Sequence, residues 1–182
     1  MAERGDEVTI RRAGPGDAAA LAELAARVFG ATFAASNDPD DLAEYLAGTF
    51  GAERQRAEIA APGASTLLAF AGADGPVGFA QLRDGPPPDC VATPGPVEIW
   101  RFYVDHAWHG RGLAGRLMRA ALDDVAARGG GSAWLGVWEH NERAIAFYRK
   151  WGFADVGSHE FRLGSDVQTD RIMARALPLP AG

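Results

Sequence analysis

A cluster of glycines at the entry of the longest predicted helix constrains this chain more than any other feature. Gly110, Gly112 and Gly115 follow a predicted strand at 97–104 and open a predicted helix at 110–128. Glycine allows left-handed backbone conformations and close approach of a ligand. Backbone N–H groups at a helix start attract anions, because the helix dipole places partial positive charge there. The cluster therefore predicts either an anion-binding turn or an ordinary glycine-rich helix entry.

The spacing of these glycines also satisfies the G-x-G-x-x-G pattern of dinucleotide-binding folds, but three features oppose that interpretation. The preceding strand contains Glu98 and Arg101, unlike the apolar run of a fully buried parallel strand. Residues 105–109 separate the strand from the first glycine, whereas the dinucleotide-binding turn is tight. The chain after the motif, 116–182, is too short for the rest of such a fold. We therefore favour a diphosphate-binding turn of another kind.

The remaining chain alternates strand-like and helix-like segments. Apolar alternation and β-branched runs predict strands, and apolar stripes at helical spacing predict helices. The predicted strands are 8–12, 65–71, 77–82, 97–104, 132–138, 153–163 and 168–177, and the predicted helices are 18–29, 40–50, 110–128 and 141–151. A proline-rich segment at 84–96 predicts no regular element, and glycines at 72–75 predict a hairpin turn. The pattern predicts one α/β (α+β) domain over 1–182, with a core at about 8–177, an antiparallel N-terminal part and one central strand–helix–strand unit.

Charge and cysteine content exclude several classes of function. The 182 residues include 18 Lys and Arg against 24 Asp and Glu, a formal net charge of −6, which argues against nucleic acid or anionic membranes as partners. The single cysteine, Cys90, excludes an internal disulfide framework, and its loop predicts a surface thiol rather than a nucleophile. The four histidines form no metal-ligand motif, so no metal is expected. The N-terminus lacks the apolar core of a secretory signal, and a cytoplasmic location is the simplest expectation.

Three segments carry a family resemblance. The segment 97–114 resembles the acetyl-CoA motif of the GCN5-related N-acetyltransferases (GNAT), whose loop pattern falls on His109 through Ala114. A second family pattern is matched by Asn141, Ala144, Tyr148, Gly152 and Phe153. The tail at 161–173, together with 134–141, is similar to the PaiA-type spermidine/spermine members. Two departures are His109, where the family usually has Gln or Arg, and the absence of the common proline after the strand.

The resemblance implies a fold, a co-substrate and a set of residues that bind it. The family fold is a mixed, mostly antiparallel sheet of six to seven strands flanked by about four helices, and the co-substrate is acetyl-CoA. Arg111 and Arg116 add positive charge near the proposed diphosphate turn. The residues expected to bind acetyl-CoA are Phe102, Tyr103, Val104, His109, Gly110, Arg111, Gly112, Leu113, Ala114, Gly115, Asn141 and Tyr148.

Two side chains are candidates for proton transfer, and each has a plain structural alternative. Acetyl transfer to an amine requires a neutral nucleophile, and alkylamines have a pKa near 10.4. The resemblance implies Glu98 as the general base, and the structural alternative is a charge at the rim of a half-buried strand. Arg101 is expected either to pair with Glu98 or to face solvent. Tyr148 lies about two helical turns after Asn141 and is expected to protonate the leaving thiolate, unless it is a core aromatic. Asn141 is also a preferred helix N-cap, and both roles can coexist.

The acceptor is the least specified part of the prediction. We expect direct transfer in a ternary complex to a primary amine, such as the polyamine spermidine. The acidic run at 38–44 either stabilises a helix start or attracts that cationic acceptor. Alternative acceptors are a protein or peptide amine, or the amine of an antibiotic or metabolite. An alternative from another class is a non-catalytic acetyl-CoA sensor, and a homodimer is compatible with the sequence.

Overall fold

The computed structural model of the protein describes residues 8–72, 75–163 and 166–178. Within these residues the chain forms seven strands and five α-helices. The strands are β1 (Val8–Arg12), β2 (Ala64–Ala71), β3 (Pro76–Arg83), β4 (Pro96–Val104), β5 (Ser132–Trp138), β6 (Ala154–Leu163) and β7 (Asp166–Ala176). The helices are α1 (Ala18–Phe33), α2 (Pro39–Thr49), α3 (Ala52–Ala60), α4 (Leu113–Ala127) and α5 (Glu142–Lys150). The strands form one mixed sheet in the order β1-β2-β3-β4-β5-β7-β6, which confirms the predicted fold class.

Helices cover both faces of the sheet, because the central strands present apolar side chains in both directions. In β2, Leu67 and Ala69 pack in one cluster with the apolar stripe of α4. Leu68, between them, points the other way and packs with residues of α1 and α2. Such two-sided burial explains why β2 is a nearly continuous apolar run rather than an alternating one. The sheet is therefore the middle layer of three.

The pairing between β4 and β5 is parallel and short. Three register pairs join the strands, ending at Glu98 opposite Trp134. Beyond that point β4 continues to pair with β3, and β5 continues to pair with β7 as far as Trp138. The two strands therefore diverge, and the sheet opens into a wedge. This is the predicted strand–helix–strand unit, in which α4 connects the two parallel strands.

A β-bulge in β4 lies at the beginning of the wedge. Gln81 pairs with Arg101 and Leu82 pairs with Ile99, so Trp100 is the extra residue of β4. Arg101 is buried and donates hydrogen bonds to Oε2 of Glu58 at 2.6 Å and to Oε1 of Gln81 at 2.7 Å. The sequence prediction that Arg101 pairs with Glu98 or faces solvent is wrong, because the bulge turns it toward α3.

Helix boundaries differ from the prediction in three places. Helix α3 was not predicted, because its sequence is mostly polar and its one buried residue is Gln55. The amide of Gln55 donates to Glu58 and to the carbonyl of Thr49, and accepts from Gln81. Helix α1 continues to Phe33, and α4 begins at Leu113 rather than at Gly110. Apolar periodicity missed α3 because its buried residue is polar. It placed the start of α4 too early because the left-handed glycines precede the helix.

The loop between β3 and β4 carries the single cysteine. Cys90 is half-buried and lies against β6, so close that a Cβ built on Gly157 would be 2.7 Å from its Sγ. The predicted surface thiol is therefore partly covered by a strand. Residues 73 and 74 of the predicted hairpin turn lie outside the described residues, while the β2–β3 hairpin itself is antiparallel as predicted. No helix in the described ranges is both long and apolar enough to cross a membrane.

The packing of α4 on the sheet generates a prediction for stability. Leu117 is fully buried in the cluster between α4 and the strands. Leu117→Ala should lower the free energy of unfolding by about 2–5 kcal/mol, because it removes buried methyl groups and leaves a cavity. Urea denaturation measures this change. The matched control is Asp123→Ala on the exposed side of the same helix, expected within about 0.5 kcal/mol of wild type; equal losses in both variants would contradict the packing described.

Candidate functional site

A cavity of about 890 Å³ lies in the wedge between β4 and β5. It receives residues from the β4 edge, the β4–α4 loop, the start of α4 and helix α5. The predicted site residues that line it are Glu98, Phe102, Tyr103, Val104, His109, Gly110, Gly112, Leu113, Ala114, Gly115, Asn141 and Tyr148. Arg111 does not line this cavity; its guanidinium lies over the Trp108 ring, 5.1 Å from the ring centre. Residues chosen from separate sequence motifs therefore meet at one place.

The glycine-rich turn has the backbone geometry of an anion site. Gly110 and Gly112 both have a φ of +76°, a left-handed conformation that side chains rarely adopt. Glycines with positive φ at a helix entry allow successive N–H groups to face one concave side. Helix α4 begins directly afterwards, and the N–H of Arg116 makes a hydrogen bond to the carbonyl of Gly112 at 3.2 Å. The N–H groups of the preceding residues, 113–115, lie in the first turn, where a helix leaves its donors free for a ligand.

Arg116 is beside this turn but is held by the neighbouring strand. Its Nη2 donates to the carbonyl oxygen of Val8 at 2.5 Å, which ties α4 to β1. The hydrogen bond fixes the position of the guanidinium and leaves its charge beside the turn, where it adds to the oriented N–H groups and the dipole of α4.

His109 anchors the turn to the end of β4. Its Nε2 lies 2.9 Å from the carbonyl oxygen of Val104, and because a carbonyl can only accept, the ring nitrogen donates. Burial lowers the pKa of His109, although this hydrogen bond opposes the effect. The neutral ring with a proton on Nε2 satisfies this contact. His109, where the family usually has Gln or Arg, therefore holds the turn in place through this hydrogen bond.

Tyr148 lies in α5 with its ring in the cavity wall. Its exposed fraction is 7%, and it packs edge-on against Phe102 and Phe153 at centroid distances of 6.2 and 5.9 Å. Burial raises the pKa of the Tyr148 phenol well above its usual value. The group therefore holds its proton at neutral pH and is available as a donor. Core packing and a position in the cavity coexist at this residue.

Asn141 caps the helix that carries Tyr148. Its Oδ1 accepts a hydrogen bond from the N–H of Ala144 at 3.2 Å, and the residue also lines the cavity. The cap fixes the first turn of α5, and the two residues share the face that the helical spacing predicts.

Glu98 lies at the narrow end of the wedge, where the β4–β5 pairing ends. Its Oε2 accepts a hydrogen bond from Nε of Arg83 in the neighbouring strand β3. The guanidinium of Arg83 also lies over the Trp100 ring, 4.0 Å from its centre. The carboxylate is thus held in position by an ion pair while it remains part of the cavity wall.

The opposite wall of the cavity was not predicted. We call it the aromatic chamber, and it consists of Tyr45, Trp138, His159, Phe161 and Asp170. Asp170 pairs in register with Trp138 of β5 and with His159 of β6. Residues 159, 161, 168 and 170 alternate along their strands, so a period-two pattern in the tail was the available signal. This period-two pattern identifies a cavity wall only when the pairing of the strands is known.

The acidic run at 38–44 lies at the start of α2, away from the cavity. Asp38, in the acidic run, is the N-cap of α2 and accepts from the N–H groups of Asp40 and Asp41 at 2.9 and 3.3 Å. The run does not line the cavity.

Among the described residues no group of three or more His, Cys, Asp or Glu side chains could hold a metal ion.

Comparisons with known proteins place the chain in a family. The acetyltransferase (GNAT) family profile matches residues 21–153. The chain is 34% identical over 155 residues to an uncharacterized N-acetyltransferase in the pepI 3' region of Lactobacillus delbrueckii subsp. lactis, covering 85% of this chain and 88% of that protein. It is 32% identical over 169 residues to the N-alpha-acetyltransferase RimI of Mycobacterium tuberculosis, covering 91% and 92% of the two chains.

A solved structure shares the fold. The PaiA N-acetyltransferase of Thermoplasma acidophilum, solved in complex with coenzyme A, superposes with a TM-score of 0.76 at 20% identity, covering 94% of this chain and 99% of that one. At this identity the likeness concerns the fold. The matched profile covers most of the chain, including the glycine turn and Tyr148. The protein therefore belongs to the acetyltransferase (GNAT) family and is an N-acetyltransferase that uses acetyl-CoA.

Proposed function

We propose that the protein transfers an acetyl group from acetyl-CoA to a small, cationic primary amine, such as the polyamine spermidine. The observation that carries this proposal is the single cavity that joins the glycine turn, Tyr148 and the aromatic chamber. A donor held at the turn and an acceptor in the chamber would meet in the wedge. That arrangement favours direct transfer in a ternary complex.

The residues at the turn fit a diphosphate group. Gly110 and Gly112 carry no side chain, and the space that a Cβ would take on either is open, with nothing within 4 Å. The N–H groups from Gly110 to Gly115 would hold the diphosphate, and Asn141 and Phe102 would border the arm that leads to the thioester. Acetyl-CoA supplies an activated acetyl group at that thioester. The residues present therefore match the donor in both charge and shape.

The free edge of β4 provides donors for the reacting carbonyl. Beyond Glu98 the strand pairs with β3 on one edge, and its other edge faces the wedge. Backbone N–H groups near Tyr103 and Val104 on that edge would stabilise negative charge on the acetyl oxygen. Rigid strand geometry keeps these donors in place before the substrates bind.

Tyr148 and Glu98 would divide the two proton transfers. Tyr148 keeps its proton and would give it to the sulfur of the leaving group as the bond between carbon and sulfur breaks. Glu98 would accept the proton of the acceptor's ammonium group, directly or through water. Its ion pair with Arg83 holds the carboxylate in the cavity wall. Cys90 packs against β6 and does not line the cavity, so a covalent acyl-enzyme is not part of this scheme.

A peptide N-terminal amine is the second candidate acceptor. The observation that favours it is the 32% identity with a protein named as an N-alpha-acetyltransferase, over nearly the whole chain. An acceptor screen separates the two proposals. CoA release is measured with spermidine, with a monoamine and with short peptides that have free N-termini. Higher kcat/KM for spermidine supports our proposal, and higher kcat/KM for a peptide supports the alternative.

The glycine turn generates a prediction for donor binding. Gly112→Ala introduces a Cβ at a φ of +76° and places it on the open side of the turn. The dissociation constant of CoA should rise at least about tenfold, because the backbone donors are displaced. Isothermal titration calorimetry measures it. The matched control is Gly129→Ala, which has a φ of +81° beyond the far end of α4 and does not line the cavity. Equal weakening in both variants would show that backbone strain alone is responsible.

Tyr148→Phe tests the acid. The ring remains in place against Phe102 and Phe153, so CoA affinity and stability should stay near wild type. The kcat for the best amine should fall about 100-fold or more, as expected when a general acid is lost. A stopped assay for free CoA measures this loss. Equal rates in wild type and variant exclude the assigned role, and no turnover of any amine by wild type favours an acetyl-CoA sensor.

Glu98→Gln tests the base through pH. At pH 7 an alkylamine is almost entirely protonated, so loss of a base should lower kcat/KM about 100-fold. The deficit should shrink as the pH rises toward 9.5, because more of the amine is already neutral in solution. The control is Glu139→Gln, directly after β5, whose carboxylate does not line the cavity. A deficit that is constant from pH 7 to 9.5 contradicts the base assignment.

A further inference from the structure

We propose that Asp170 is the anionic group that binds an ammonium group of the acceptor, in the aromatic chamber on the far side of the wedge from α5. This inference rests on the proposed function, because it assigns the acceptor half of the same cavity. It adds a residue that none of the sequence motifs singled out. It also gives the acceptor a chemical class, an alkylammonium ion.

Strand register places Asp170 in the chamber. It lies opposite Trp138 in β5 and opposite His159 in β6, at the level where β4 and β5 have already diverged. Its side chain is 16% exposed and lines the cavity. Gly136 lies two residues before Trp138 in β5, and a Cβ built there would be 3.3 Å from Oδ2 of Asp170. The missing side chain leaves the carboxylate accessible from the wedge.

The charge of Asp170 is less fully compensated than the charges of Glu98 and Arg101, which also line the cavity. Glu98 is paired with Arg83, and Arg101 is paired with Glu58. Within the described residues, the ion-pair partner of Asp170 is an imidazole, with Nε2 of His159 at 3.7 Å. An imidazole is charged only when protonated, and a distance of 3.7 Å is longer than a strong charged hydrogen bond. A cation that entered the chamber would complete this pairing.

Burial makes the uncompensated carboxylate costly. Desolvation raises the pKa of Asp170, and the nearby His159 lowers it in part. A buried carboxylate is stabilised by an opposite charge brought close to it. An ammonium group supplies that charge together with N–H donors for both carboxylate oxygens. The free energy otherwise lost in burying the anion would therefore be recovered when the acceptor binds.

The walls around Asp170 suit a cation better than an anion. Tyr45 and Phe161 meet edge-on at 6.0 Å, and Trp138 packs against Phe33 at 5.9 Å. The faces of aromatic rings attract cations and their methylene groups through the ring quadrupole. An acceptor with an alkyl chain and an ammonium end fits both parts of the chamber. Arg101 is one of the cations that line the same cavity, and Glu58 and Gln81 hold its guanidinium in hydrogen bonds.

A purely structural role for Asp170 is a distinct alternative. Cross-strand ion pairs stabilise antiparallel strands, and the pair with His159 joins β6 and β7. Such a role predicts loss of stability without a specific loss of amine binding. The experiment therefore measures binding and stability separately, and it measures binding without turnover.

The test titrates spermidine, and separately n-butylamine, into CoA-saturated protein by calorimetry. Asp170→Asn removes the charge and keeps the size, and the dissociation constants of both amines should rise at least about tenfold. CoA affinity and the urea midpoint should stay near wild type. The control is Asp155→Asn in β6, whose carboxylate pairs with Arg149 and Arg171 and does not line the cavity. It should bind both amines as wild type does.

The outcomes separate this inference from the proposed function. Unchanged amine binding in Asp170→Asn, or no binding of either amine by wild type, overturns the inference. Amine binding that depends on Asp170 without release of CoA from acetyl-CoA supports the inference and overturns the proposed reaction. Turnover of spermidine with equal KM in wild type and Asp170→Asn supports the proposed reaction and overturns the inference. If the Asn variant does not fold, Asp170→Thr, a strand-forming residue without charge, takes its place in the same titrations.

Discussion

The end of hydrogen bonding between β4 and β5 is the constraint on which the rest of the site depends. Parallel pairing stops at Glu98 and Trp134, while each strand continues with its other neighbour. Elsewhere the sheet separates two helical layers, and at this opening residues from both layers line one cavity. Tyr148 and the glycine turn approach from the side of α4 and α5, and the aromatic chamber approaches from the side of α1 and α2. A transfer reaction between two bound molecules needs this opening, because its reactants must meet without displacing the core.

Helix α3 stabilises β4, the strand that diverges from β5 at the wedge. The bulge at Trp100 turns Arg101 into the layer beneath β4, where an unpaired guanidinium would be strongly destabilising. Glu58 and Gln81 accept its hydrogen bonds, and Gln55 connects them. A buried network is stable only when its members are satisfied, so these residues fix one position for the bulge. The polar sequence of α3 is therefore explained by what it pairs with rather than by an apolar face.

The same distinction sets how much could be predicted from sequence. Strands and helices with apolar patterns, such as β2 and α4, were predicted within a few residues, because burial imposes the pattern directly. The glycine turn, Asn141 and Tyr148 were chosen from sequence because a family motif marks them, and the structure brings them to one cavity. Helix α3 and Asp170 were missed. The burial of Gln55 and the position of Asp170 depend on strands distant in sequence, and register cannot be read from a single strand.

The acidic net charge of the chain is consistent with binding an anionic donor because the two kinds of charge are handled by different parts of the fold. At the donor end, N–H groups of the turn and the dipole of α4 supply positive potential, while Arg116 is held by Val8. Fixed dipoles of this kind add no net charge and need no reorganisation when the ligand binds. At the acceptor end, a carboxylate among aromatic rings favours the opposite sign. In the proposed reaction, the wedge would therefore separate a surface for the anionic donor from a surface for the cationic acceptor across the thickness of a single sheet. An acidic chain would thus bind a polyanionic donor through a local group of dipoles and keep a carboxylate for its acceptor.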